Sequence, residues 1–149
     1  MLTNLGAVCD EVGKDEMTLV YLQKILEVDF TFIGAWVNIG FKYQEMGEHK
    51  KAITYFNKAI ELNPEEALAF SNRSFNKLKI NDLKGAMKDI EKAIKLYPAN
   101  SYAFRNRALI YLEMDKATNA CEDINTAIDL DFVKMYGNEV LELKQKYCN

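Results

Sequence analysis

Proline occurs only twice in this chain of 149 residues, histidine and tryptophan once each, and cysteine three times. The three cysteines, Cys9, Cys121 and Cys148, are odd in number, far apart and without CxxC spacing. That pattern argues against a disulfide framework and against a zinc site, and fits a reducing compartment. The first residues, MLTNLGAVCDEVG, lack the basic start and long apolar run of a secretion signal. No uninterrupted apolar run approaches the length of a membrane span. A net charge of -3 gives no electrostatic reason for a nucleic-acid or membrane partner. The charge is uneven along the chain: residues 67–100 carry seven basic and three acidic side chains, residues 1–32 two basic and six acidic. The expectation is a cytoplasmic protein of one domain, large enough to bury its own core.

The scarcity of proline makes its placement informative. Pro64 and Pro98 define a 34-residue step, each standing just after an amphipathic run, AIELN or AIKLY. The run AFSNRSFNKL at Ala69–Leu78 returns at the same step as AFRNRALIYL at Ala103–Leu112. Trp36, Phe70 and Phe104 share one column; Ala52, Ala86 and Ala120 a second; Ala59, Ala93 and Ala127 a third. Extended backwards, the register pairs Leu2 with Trp36, Gly6 with Gly40 and Gly13 with Gly47. Within each unit, two apolar runs at helical spacing flank a break at Gly13, Gly47 or Asn81-Asp82, where Asp82 can cap the following helix. These are helix–turn–helix pairs, and such a pair cannot cover its own apolar face without stacking on neighbours. Small residues at Gly40, Ser74 and Ala108, and at Ala52, Ala86 and Ala120, let the two helices approach where they cross.

The second unit carries Trp36, Ile39, Gly40, Tyr43, Ala52, Phe56 and Pro64. At this spacing the chain resembles the tetratricopeptide repeat family over residues 1 to about 132. The resemblance implies an all-α, right-handed superhelical solenoid of four units, 1–32, 33–66, 67–100 and 101–132. It also implies a concave groove lined by the first helices. Several positions depart from the pattern: Arg73 and Arg107 replace Ile39, Lys77 replaces Tyr43, and Phe30 and Phe132 stand where Pro64 and Pro98 do. The first helix of the first unit starts late, so it is either short or part of a longer chain. After Leu130 the register dissolves, and residues 133–149 place Tyr136, Val140, Leu143 and Tyr147 on one helical face. A capping helix, or a helix that docks on another chain, is expected there.

Asn4, Asn38, Asn72 and Asn106 recur at one position in all four units. By the resemblance this column faces the groove, as in the peptide-binding repeats of O-GlcNAc transferases, together with the preceding Val37, Ser71 and Arg105. A carboxamide both donates and accepts, so it can pair with a peptide backbone or with a neighbouring helix. Three residues beyond the asparagines come Phe41, Phe75 and Leu109, which the resemblance also directs inward, where they offer sites for apolar side chains. The groove does not match the clamp that grips a chaperone's C-terminal carboxylate. Its five places hold Val37, Phe41, Asn72, Tyr102 and Asn106, or one unit earlier Thr3, Ala7, Asn38, Leu68 and Asn72, so those places offer the carboxylate no cation.

An enzyme needs a placed acid, base, nucleophile or metal. His49 opens a second helix, no histidine accompanies the cysteines, and no P-loop, GxGxxG or HExxH occurs. The expectation is therefore a non-catalytic protein- or peptide-binding module with no cofactor, no metal and no nucleic-acid or membrane partner. The alternative is a self-associating array, or a fragment of a longer repeat protein.

Overall fold

The computed structural model describes residues 15–149. Leu2, Asn4, Gly6 and Gly13, and with them the first helix of the first unit, lie outside the described residues. Every regular element described is a helix: α1 Asp15–Val28, α2 Ile33–Glu45, α3 His49–Leu62, α4 Ala67–Lys79, α5 Leu83–Leu96, α6 Ser101–Glu113, α7 Ala117–Asp129, α8 Phe132–Tyr136 and α9 Glu139–Tyr147. The starts of α2, α4 and α6, like those of α3, α5 and α7, fall at the 34-residue step. The chain is a solenoid of helix pairs, α2 with α3, α4 with α5 and α6 with α7, each pair packed on the next.

The turn inside each pair is the same motif built from three residue types. Gly47, Asn81 and Asp115 occupy one column, with φ of 75°, 64° and 57°. In each turn the next residue's N–H reaches back to the carbonyl five residues earlier: Glu48 to Tyr43 at 2.9 Å, Asp82 to Lys77 at 2.8 Å, Lys116 to Tyr111 at 2.9 Å. This satisfies carbonyls that the helix end would leave unpaired. Glycine, asparagine and aspartate are the residues that enter the left-handed region at least cost. The N-terminal side of the next helix is capped where the sequence allows it: Asp82 accepts from the Gly85 N–H at 2.9 Å. Asn100 accepts from Tyr102 and Ala103 at the start of α6.

The small-residue columns are the seams of the stack. Ala35, Ala69 and Ala103, and Ala52, Ala86 and Ala120, are all fully buried. At the crossing of the two helices, size is balanced between facing positions rather than fixed at either one. Gly40 faces Phe56, and a Cβ there would lie 2.8 Å from the ring. Two units later Ala108 occupies the place of Gly40, and Ile124 stands in the place of the ring. Between them, Ser74 and Ile90 fill the same two places, and the Ser74 hydroxyl donates to the Ala86 carbonyl at 2.7 Å.

Two expectations need correction. Residues 133–149 are not one helix: Gly137, at φ 94°, separates α8 from α9. The end of α9 at Tyr147 keeps the step of α4 at Lys79 and α6 at Glu113, while its start at Glu139 does not. Phe132, Val140 and the α7 residues Ile124 and Ala127 form one buried cluster, so α9 packs where the first helix of a further unit would. Finally, Cys121 and Cys148 form a disulfide, with Cα atoms 5.6 Å apart. The linear separation concealed this pairing, because α9 folds back along α7 and returns Cys148 to it. Cysteine usage therefore gives no support for a reducing compartment.

Candidate functional site: the inner wall of the stack

The first helices of successive units approach one another closely, α2 on α4 and α4 on α6, whereas each second helix packs chiefly on first helices. Curvature therefore puts α2, α4 and α6 on the inner wall. Along that wall the exposed apolar groups lie mainly toward the N-terminal side: Phe41 is 38% exposed and Leu68 53%, with Asn38 also exposed and Val37 half-buried between units.

The asparagine column divides. Asn38 faces solvent, Asn72 is buried, and Asn106 is fully buried. Asn106 donates through Nδ2 to the Ser71 carbonyl and hydroxyl, at 3.4 Å each, and accepts from Arg105 Nη1 at 2.8 Å. Asn106 thus ties α6 to α4 and has no face left for a peptide; Ser71, 1% exposed, is its partner and not a contact surface. Arg105 is half-buried and engaged with Glu139 of α9, the Nε bond being 3.1 Å. Asn4 lies outside the described residues.

The middle of the wall holds a polar chain that the repeat columns did not reveal. Asn76 is fully buried and spends Nδ2 on Gln44 Oε1 at 2.7 Å and the Asn72 carbonyl at 2.8 Å. Its Oδ1 lies 2.8 Å from His49 Nδ1, which assigns the imidazole hydrogen to Nδ1. Gln44 and His49 belong to the 33–66 unit and Asn76 to the next, so the chain ties two successive units together. Burial pushes the Tyr102 phenol above its ordinary value, while the Arg105 charge and the neighbouring Gln44 amide pull it back. Phe75 packs at the edge of this chain, with the Arg105 guanidinium 5.4 Å and the Lys79 ammonium 5.2 Å from its ring centre. Phe75 is therefore half-covered by cations rather than open.

Leu109 lies in a different place, a pocket of about 410 Å³ lined by Leu78, Leu109, Leu112 and Leu143 with Lys79, Glu113 and Tyr147 at its rim. Helices α4 and α6 supply its floor and α9 its far side. An apolar floor rimmed by one cation and one anion suits an aliphatic side chain on an otherwise polar segment.

On the outer side, the apolar-column departures find their reason. Arg73 grips Asp89 through two bonds, 2.7 and 2.6 Å, and Lys77 joins at 2.8 Å. Arg107 grips Asp123 likewise, at 2.7 and 2.8 Å. Hydrogen bonding to Asp123 raises the Arg107 pKa further. The signal was in the sequence: Asp89 and Asp123 follow the two arginines at one identical interval, the interval at which Tyr55 follows Ile39. In that earlier unit Tyr55 stacks on Tyr43 at 5.3 Å and borders Trp36 at 5.8 Å, and the Trp36 Nε1–H donates to the Phe30 carbonyl at 2.8 Å.

These features are those of one repeat class. Tetratricopeptide repeat models match residues 34–66, 70–100 and 103–133, and the chain belongs to the tetratricopeptide repeat family. No curated protein matches the sequence. Among solved structures, MamA residue 41 to the end from Desulfovibrio magneticus RS-1 is 21% identical. That match covers 99% of this chain and 96% of that one, with a TM-score of 0.75. A double mutant of MamA from RS-1 is 24% identical over 87% of this chain and 73% of its own, also at 0.75. The Cut9–Hcn1 hetero-tetramer of the APC/C gives 0.82 at 17% identity, covering 87% of this chain and 25% of that one. At these identities the likeness establishes the fold alone.

Proposed function

We propose that this chain is a non-catalytic protein-interaction module that takes a segment of a partner protein along its inner wall. The observation that carries the reading is apolar surface left open on that wall: Phe41 and Leu68 at one end, the leucine-lined pocket at the other. Of the asparagine column, Asn38 is the member available to a peptide backbone, with Val37 and Phe41 beside it. Asn72 contributes at the margin, and Phe75 presents a ring edge. The places that would grip a C-terminal carboxylate hold Val37, Phe41 and Tyr102 instead of cations, which speaks against a chaperone-tail clamp. The repeat units are 1–32, 33–66, 67–100 and 101–132, and residues 133–149 cap the stack. The cap presents Asn138, Glu142 and Gln145 where Phe104, Ala108 and Tyr111 would receive a second helix. A cytoplasmic location belongs to this reading, with neither nucleic acid nor membrane as partner. No described helix is long and apolar enough to cross a membrane.

The test is cross-linking capture from native extract with wild type and with Phe41→Glu/Leu109→Glu, both checked for an unchanged melting curve. Captures lost by the variant support the inner wall; identical captures exclude it. Self-association is the second reading, favoured by Val28, Phe30 and Phe32, 84%, 51% and 41% exposed at the joint between α1 and α2. Light scattering decides it: a monomer across the accessible concentration range removes it.

A further inference from the structure

We propose that the Cys121–Cys148 bond is a redox latch: oxidised, it holds α9 as the far wall of the leucine-lined pocket, and reduced, it lets α9 leave. As a statement about ligand binding it rests on the inner-wall reading above; as a statement about α9 it stands alone.

Helix α9 has nine residues, a length at which an isolated helix is marginal in water. Its hold on the stack is small. Val140 is its one buried side chain, and Leu143 is partly covered. Glu139 pairs with Arg105 while remaining 44% exposed. Gly137, at φ 94°, breaks the helix between α8 and α9, so α9 is not a continuation of α8. The covalent tie comes immediately after its last residue, at Cys148, and joins the middle of α7, 27 residues earlier. A cross-link there removes most of the freedom that an open α9 would gain. The bond is also within reach of a reductant. It lines an open surface pocket of about 460 Å³ with Ala117, Thr118, Asn125 and Tyr147. A thiolate attacks one sulfur and releases the other as a thiolate. A second thiol then resolves the mixed disulfide, so one disulfide and two external thiols become two cysteine thiols and one external disulfide. Once α9 opens, Leu143 and Tyr147 leave, and Leu78, Leu109 and Leu112 face solvent on that side.

The experiment is hydrogen–deuterium exchange of the full chain, oxidised and after dithiothreitol, with Cys121→Ser/Cys148→Ser as the genetic equivalent. Non-reducing peptide mapping comes first: a free Cys121 and Cys148, or a bond to Cys9, overturns the proposal. The expected result is exchange at least tenfold faster over residues 139–147 on reduction, with residues 83–96 unchanged. Glu139→Gln should add to the acceleration only in the reduced chain. Unchanged exchange over 139–147, or equal acceleration through 83–96, overturns the latch; the latter outcome marks a general staple. If the latch holds while Phe41→Glu/Leu109→Glu leaves captures unaltered, the inner-wall reading fails and the latch survives.

Discussion

The α2–α3 pair and the two pairs that follow meet one packing requirement with opposite chemistry. Where the first helix turns toward its partner, α2 offers buried Ile39 and half-buried Tyr43, and α3 answers with Tyr55. At the same places α4 offers Arg73 and Lys77, and α5 answers with Asp89, 2% exposed; α6 and α7 use Arg107, Tyr111 and Asp123. The backbone is the same in all three. A bidentate guanidinium–carboxylate pair spans the gap that an aliphatic and an aromatic side chain otherwise fill. The repeat therefore specifies a place and a volume, and leaves the chemistry free as long as both partners change together.

That freedom fails when one partner changes alone, which sets the largest expected effect. Asp89→Ala removes the carboxylate that Arg73 and Lys77 share, leaving Arg73 its bond to Asn57, and should cost about 3 kcal/mol by urea unfolding. Asp123→Ala, which strands Arg107 alone, should cost less. Next is the helix crossing: Gly40→Ala drives a methyl group into the Phe56 ring and should cost about 2 kcal/mol. Adding Phe56→Ile, the residue type found at 90 and 124, should recover most of that loss. An absence of rescue would show that the Gly–Phe and Ala–Ile solutions are not interchangeable. Smaller effects belong to the turns. Gly47→Ala should cost about 1 kcal/mol, whereas Asp115→Gly should stabilise by a few tenths, since both sit at positive φ. Melting temperatures of the two variants moving in the same direction would contradict this.

The smallest effect is in pH. Burial favours the neutral Tyr102 phenol, so its contribution is full below the unfolded value near 10.0 and is lost as pH rises through the raised folded value. Tyr102→Phe should flatten the alkaline stability loss; an unchanged slope would assign that loss to other groups.

The solenoid was legible because its determinants are periodic. Buried alanines in the units 33–66, 67–100 and 101–132 and a positive-φ residue at 47, 81 and 115 follow from local sterics, which a column of residue types displays directly. The inner wall was only partly legible. Asn38 and Asn106 share a column, yet one meets solvent and the other fills both bonding sides with Ser71 and Arg105. The Asn76–Gln44–His49 chain crosses a unit boundary, which a single column does not reveal. The disulfide was illegible for the same reason: Cys121 and Cys148 meet only after Gly137 breaks the helix and α9 turns along α7. Arg73 with Asp89 was available as a paired departure, repeated at the same interval by Arg107 with Asp123.

The most direct measurement is the stability of Arg73→Ile/Lys77→Tyr/Asp89→Tyr, which writes the chemistry of the α2–α3 pair into α4–α5, set against Asp89→Ala. If the repeat fixes place and volume rather than charge, the triple variant should stay within about 1 kcal/mol of wild type while Asp89→Ala falls well below it. A triple variant as unstable as the single one would contradict the interchange, and with it the claim that one backbone address serves all three units.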